Sequence, residues 1–259
     1  MTEIQRPGAL YQQVAAAIRE AILTGEFVPD SLLPSEAQLM ARYGVSRPTV
    51  RNAIAALRAE GLIDVRHGKG SFVRSDGQPA LTLERRISRT GEGKFVMPNG
   101  DAWQEAEEPS TYRTHTAKDT GRLLQLGEEE ALFGCDRLLT DPGTGTRAMH
   151  RTLIPFEIAE AVPLLGKEPC KPPAAIYWVL TQAGHTLSWT ETIRARMPLP
   201  DERTALQLPD ATPILYVTRV AHGTDDRPLI LEELRIGADR AELVYRITGD
   251  KQPARRAHA

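Results

Sequence analysis

Residues 33–73, LPSEAQLMARYGVSRPTVRNAIAALRAEGLIDVRHGKGSFV, decide the fold of the N-terminal part of this chain. Ser35 followed by Gln38 is a capping-box spacing that satisfies orphan amides at a helix start. Leu39 and Met40 give that helix an inward face, and Gly44 supplies a left-handed stop. Ser46 is placed to cap a second helix, with Pro48 tolerated in its first turn. Val50, Ile54 and Leu57 recur at four- and three-residue steps, so one side of this helix is core. Gly61 closes it. Two short strand-like runs, Leu62–Val65 and Ser71–Val73, then flank the basic, glycine-rich tip Arg66-His67-Gly68-Lys69-Gly70.

Helix, tight turn, helix and basic hairpin is the layout of a winged helix-turn-helix, which sets one helix in a DNA major groove with a wing beside it. Arg47, Thr49, Arg51 and Asn52 lie off the apolar stripe near the start of the second helix, where base edges and phosphates are read. The order LPSE, GVSR, TVR, GL and G-G-FV closely resembles the DNA-binding signature of the GntR family of bacterial regulators. That resemblance implies DNA contacts from Arg47, Thr49 and Arg51 and from His67 and Gly68 of the wing. Asn52, Arg66 and Lys69 complete the candidate set. Many members carry arginine after the LPSE glutamate; Ala37 stands here, so a contact from that position is missing.

Working outward, Leu10, Val14, Ile18 and Ile22 step by four and predict an amphipathic helix ending at Gly25, packed behind the reading helices. The charge is only weakly polarised. Residues 1–75 hold nine Lys and Arg against seven Asp and Glu, and the remainder holds 23 against 27. This fits a local patch on one module and not a basic nucleic-acid coat. With 259 residues the chain accommodates two domains. The reading is a DNA-binding domain over 1–75, a linker over 76–88, an effector-binding and dimerisation domain over 89–250 and a frayed tail over 251–259.

The second domain reads as α+β. Leu132–Leu139 and Arg147–Ile154 are strand-like about the turn Asp141-Pro142-Gly143-Thr144-Gly145, and Ile214–His222 pairs with Leu229–Ile236. Helices fall at Ala174–Ala183 and Asp201–Leu208, and residues 91–110 read as irregular. Hairpins with helices between them suggest an antiparallel sheet. This half is similar to the UTRA ligand-sensing domain of the HutC branch, a fold that resembles chorismate lyase. The resemblance implies a small-molecule effector, dimerisation through this domain and no catalysis. At positions where sugar-phosphate sensors of this branch carry polar groups, the chain has the aliphatics Leu139, Ile230 and Ile236, which implies a less polar ligand, while His150 replaces a glutamate and Arg137 and the Thr152 hydroxyl are kept. Strand alternation puts His150 and Thr152 on one face and Arg151 on the other. Arg137, His150 and Thr152 are the candidate effector-binding residues.

Two cysteines, Cys135 and Cys170, make no framework and read as buried reduced thiols of a cytoplasmic protein. No apolar run suits a signal peptide or a membrane span. His115, His150, His185 and His222 lack helical pairing, which argues against the metal-binding effector domain found elsewhere in the family, so neither metal nor cofactor is expected. The expected partners are double-stranded operator DNA, a small-molecule effector and a second copy of the chain, with no membrane. The alternatives are a C-terminal enzyme of lyase-like fold, for which no nucleophile elbow or paired carboxylates appear, or a ligand-free partner-binding module.

Overall fold

The computed structural model of the chain describes residues 9–66, 68–74, 80–98 and 102–247. The N-terminal unit runs through α1 (Leu10–Leu23), α2 (Glu36–Tyr43) and α3 (Arg47–Ala59) into an antiparallel hairpin of β1 (Ile63–Arg66) and β2 (Gly70–Val73). The Ser35 hydroxyl accepts from the Gln38 amide at 3.4 Å, and Gln38 Oε1 accepts from the Ser35 amide at 2.8 Å, so the capping box forms. Gly44, at φ 63°, makes the left-handed turn between α2 and α3. Ser46 occupies the N-cap of α3, but its hydroxyl meets Thr49 Oγ1 at 2.9 Å instead of a backbone amide.

Val14 and Ile18 of α1, Leu39 of α2 and Val50, Ala53 and Leu57 of α3 form one core with Ile63 and Val73 of the hairpin. Burying each large aliphatic contributes ~1.5–3 kcal/mol, so this contact fixes which side of α3 faces away. Ile54, expected in the core, is only half-buried, and Ala53 takes the deeper place. In the wing, Gly70 has φ +105°, and a Cβ there would lie 2.8 Å from Leu32 Cδ1. The backbone angle is what calls for glycine, since exposed Leu32 could swing aside but L side chains rarely adopt such a φ.

The second unit contains β3 (Leu81–Glu84), β4 (Ser88–Arg89), β5 (Phe95–Val96), β6 (Gln104–Glu105), β7 (Ser110–His115), α4 (Lys118–Leu124), β8 (Ala131–Thr140) and β9 (Arg147–Pro155). It continues with α5 (Phe156–Ala161), α6 (Pro163–Lys167), α7 (Pro173–Gln182), β10 (Ser188–Arg196), α8 (Pro200–Leu206), β11 (Ile214–His222), β12 (Pro228–Gly237) and β13 (Ala241–Val244). The main sheet is seven-stranded and antiparallel in its described pairs, ordered β10-β11-β12-β9-β8-β6, with β7 also on β8.

Register organises the chemistry of this sheet. Cys135, Thr152, Glu232, Arg219 and Glu191 form one cross-strand row over β8, β9, β12, β11 and β10. Two residues along, Arg137, His150, Leu234 and Val217 form the next row on the same face. Helices α5 to α7 cover one end of that face through Ile158, Leu165, Ile176, Tyr177 and Leu180 against Ile154 and Ile230. Leu83 of β3 and Ala241 of β13 cover the other end, against Ala148, Leu234 and Ile236. On the reverse face α4 packs through Leu124 and α8 through Leu206. There Arg151 donates to both oxygens of Asp136, at 2.7 and 2.8 Å, which places it opposite His150 as alternation requires.

Several elements differ from the sequence reading. Leu81–Glu84, inside the expected linker, pairs in parallel with β13, which lies about 160 residues away in the chain. Residues 75–79, the rest of that linker's start, and the expected tail over 251–259 lie outside the described residues. The stretch read as irregular holds β5 and β6 and contributes the buried Phe95. The reduced-thiol reading is corrected: Cys135 and Cys170 form a disulfide, with Cα atoms 5.2 Å apart. Cys170 lies in the segment entering α7, which folds back over β8. Two cysteines 35 positions apart carry no sequence signal of that approach.

Candidate nucleic-acid interface and ligand pocket

With Val50, Ala53 and Leu57 turned inward, α3 presents Arg47, Arg51 and Asn52 to solvent and Thr49 at partial exposure. The arginine side chains are 63% and 71% exposed. Their only described ionic neighbour is Glu36 at the start of α2, 3.5 Å from Arg47 Nε and 3.9 Å from Arg51 Nε. At such distances in water the attraction is weak; Glu36 orients the two cations without neutralising them. Thr49 shares its hydroxyl with Ser46. Gly68 and Lys69 are exposed at the wing tip, with Gly68 at φ +71°. His67 and the Arg66 side chain lie outside the described residues. A cleft runs between α3 and the wing, lined among others by Arg51, Ile54, Arg58, Lys69 and Gly70.

The far end of this cleft is closed by the second unit. Asp210 reaches into it, accepting from Arg58 Nε at 2.5 Å and from Arg203 at 2.8 Å. Arg74, the residue after β2, donates to Thr212 Oγ1 at 2.6 Å and Asp239 Oδ2 at 2.5 Å. The C-terminal turn of the reading helix and the exit of the wing are therefore both tied to the Asp210–Thr212 segment. None of these residues stood out in the sequence, because the partners are more than 130 positions apart.

A cavity of about 350 Å³ lies on the sheet face between the two covers. Phe95, Met97, Trp103, Leu139, Leu234 and Pro173 supply apolar wall; Arg85, Arg137, His150, Arg219 and Glu232 are among the polar lining. Glu191, beneath it, accepts from Arg85 at 3.0 and 2.7 Å and from Arg219 at 2.7 Å. Burial alone would raise the proton affinity of Glu191, but these two guanidinium groups outweigh it and hold its carboxyl down to about 2. Glu232 is the opposite case. Fully buried, its proton affinity is raised by desolvation in spite of Arg219, and its Oε2 accepts from Tyr177 at 2.5 Å.

Of the three predicted effector-binding residues, the structure brings Arg137 and His150 together on adjacent strands in the cavity wall. Thr152 sits one row behind, on the same face but fully buried and outside the lining, its hydroxyl without a hydrogen-bond partner among the described residues. His150 is pushed down to about 3 by burial, reinforced by Arg137, Arg219 and Arg85, and is therefore neutral at ordinary pH. Of the aliphatic replacements, Leu139 lines the cavity while Ile230 and Ile236 are packed into the flanking cores. Sequence reasoning missed Arg85, Phe95, Met97, Trp103, Arg219 and Glu232. The one signal available was the pair of acidic residues inside the otherwise apolar LILEELRI run. Among the described residues no group of three or more His, Cys, Asp or Glu is arranged to hold a metal, and no helix is long and apolar enough to cross a membrane.

An exposed cationic helix on a winged helix-turn-helix is thus joined to a sheet domain with an internal cavity. Residues 10–73 match the profile of bacterial regulatory proteins of the GntR family and residues 150–242 match the UTRA domain, so the chain joins a GntR-type DNA-binding domain to a UTRA domain. It is 28% identical over 219 residues to the HTH-type transcriptional regulator Rv0792c of Mycobacterium tuberculosis, covering 84% of this chain and 78% of that protein. It is 41% identical over 83 residues to the histidine utilization repressor of Klebsiella aerogenes, covering 32% of this chain and 34% of that one. Matches to two further regulators, from Mycobacterium tuberculosis and Rhizobium meliloti, span only 26% and 41% of their lengths. In fold, the chain is similar to a crystal structure of a GntR-family transcriptional regulator (TM-score 0.67, 21% identity, 94% of this chain and 99% of that one). It is also similar to PhnF from Mycobacterium smegmatis (TM-score 0.51, 18% identity, 92% and 100%).

Proposed function

We propose that the protein is a ligand-responsive transcription regulator, a homodimeric repressor that a small-molecule effector releases from a palindromic operator. The observation that carries this reading is the direct linkage of its two sites. The helix bearing Arg47 and Arg51 is bonded at its other end, through Arg58, to the domain that encloses the cavity. On DNA, Arg47, Thr49, Arg51 and Asn52 enter the major groove, and Arg66, His67, Gly68 and Lys69 approach phosphates or the minor groove. One reading helix covers few base pairs, so two copies on an inverted repeat supply useful affinity. The effector occupies the cavity against Arg137 and His150, with Thr152 behind them.

An effector releases DNA only if it binds better to a domain arrangement that fits the operator poorly. The Asp210–Thr212 segment is where such a preference reaches α3. Selection of bound sequences from random duplex DNA tests the reading. The expected product is an inverted repeat bound by two chains, and recovery of no enriched sequence contradicts it. Neither an enzyme nor a ligand-free module requires that linkage; turnover of a bound ligand would support the enzyme.

A further inference from the structure

Accepting the cavity as the effector site, we infer that its ligand is a small monocarboxylic acid with a flat or aliphatic apolar body, its carboxylate held by Arg137. Arg137 holds unused hydrogen-bonding capacity. Arg137 is 6% exposed, and neither its Nε nor its Nη1 donates a hydrogen bond to any described residue. Its nearest acid, Glu105, lies 3.3 Å from Nε outside hydrogen-bond geometry, and that side chain is half exposed. A buried guanidinium with two idle donors is unfavourable until an acceptor arrives. On the planar fork Nε and Nη1 point to different sides, so a carboxylate engages one of them together with Nη2, its two oxygens meeting one parallel N–H pair.

The other cations do not compete. Arg85 and Arg219 are spent on Glu191, and His150 is neutral. Among the described lining residues Arg137 is the cation whose acid partner is half exposed and out of hydrogen-bond geometry, which suits a monoanion. A phosphate dianion would face Glu84, Glu105 and Glu232 in the same lining, where Arg85 and Arg219 are already turned to Glu191. The rest of the ligand meets Phe95, Met97, Trp103, Leu139 and Leu234. Apart from the Trp103 indole N–H these offer no regular hydrogen-bonding group to a sugar ring, and the volume lies at the small end of ordinary ligand pockets. Glu232 Oε1, also without a partner, leaves room for one ligand hydroxyl or N–H.

Full-length protein is titrated with phenylacetate and octanoate, each beside its neutral amide, and with glucose 6-phosphate and phenethylamine. Readouts are melting temperature and tryptophan fluorescence, since Trp103 lies in the wall. At least one carboxylate is expected to bind about tenfold more tightly than its amide, because a charge-assisted pair is lost in the amide. Arg137→Met should abolish that preference. Glu105→Gln, at a half-exposed position that tolerates change, should strengthen carboxylate binding, and it keeps the test decisive if Arg137→Met unfolds. Binding of neither carboxylate overturns the inference. So does tighter binding of the phosphate or the amine; where Leu139→Trp blocks that binding, the cavity stands as the effector site and only the ligand class falls. A carboxylate that binds as described yet leaves DNA affinity unchanged would contradict the regulatory reading and not the ligand class.

Discussion

Arg51→Ala separates DNA recognition from folding more cleanly than any other change in the chain. The side chain is 71% exposed and its one described ionic contact is Glu36 at 3.9 Å, beyond hydrogen-bond reach. Removing it should alter stability by no more than ~0.5 kcal/mol, as for surface changes without buried partners. In the proposed DNA complex the same guanidinium would contribute a base or phosphate contact worth ~1–3 kcal/mol, so affinity should fall by roughly fivefold to 150-fold. If the lost contact is to phosphate, the slope of log affinity against log salt should also decrease in magnitude by ~0.9. Fluorescence anisotropy with a selected duplex at several salt concentrations measures both quantities, and thermal melting checks the fold. Unchanged affinity and slope in a normally folded variant would refute the placement of Arg51 on DNA. A large drop in melting temperature would show instead that Arg51 supports the domain.

Three further outcomes follow from the second unit. His150, held at about 3 against an unfolded value near 6.5, takes up its proton only on unfolding, so it makes the native state less stable as pH falls below about 6.5. That is ~1.4 kcal/mol per pH unit, or ~2 kcal/mol between pH 6.5 and 5, and urea unfolding of His150→Gln should lack this share of the wild-type loss. Thr152→Val removes a fully buried hydroxyl with no described partner; stability should hold or rise by up to ~1 kcal/mol, and a loss above that in chemical denaturation would show that the hydroxyl is bonded. Arg74→Ala together with Asp210→Ala removes the hydrogen bonds that Arg58 and Arg74 make to the second unit, so small-angle scattering should report a larger radius of gyration while each unit keeps its fold; an unchanged radius would mean that other contacts hold them.

The DNA-binding unit was legible because its signals are local. The Ser35–Gln38 box, the left-handed Gly44 and the inward stripe of Val50 and Leu57 are all settled within a few residues, and they fix which arginines face outward. In the second unit the hairpins could be read, since Leu132–Leu139 and Ile214–His222 alternate or run apolar as strands do. The cavity could not be read in the same way. β12 lies at the centre of the sheet with both faces covered, so every residue from Pro228 to Gly237 is buried and its acids are paired inside instead of marking a solvent side. Arg137 and His150 were visible as polar residues on strands. Arg219 and Glu191 were not, because their meaning comes from a cross-strand row spanning five strands. Phe95, Met97 and Trp103 sit in a glycine- and proline-interrupted stretch without periodicity, and only the fold brings them over the sheet.

The most direct test of the account is competition between the two sites in one sample. A labelled duplex carrying the selected inverted repeat is bound by the full-length protein, and a cavity ligand identified by thermal shift is titrated in. The account predicts dissociation at ligand concentrations that track its affinity for the cavity. It also predicts that operator DNA weakens ligand binding by the same factor, because coupling between two equilibria is reciprocal. Retention of the duplex at saturating ligand, with the cavity demonstrably occupied, would contradict it.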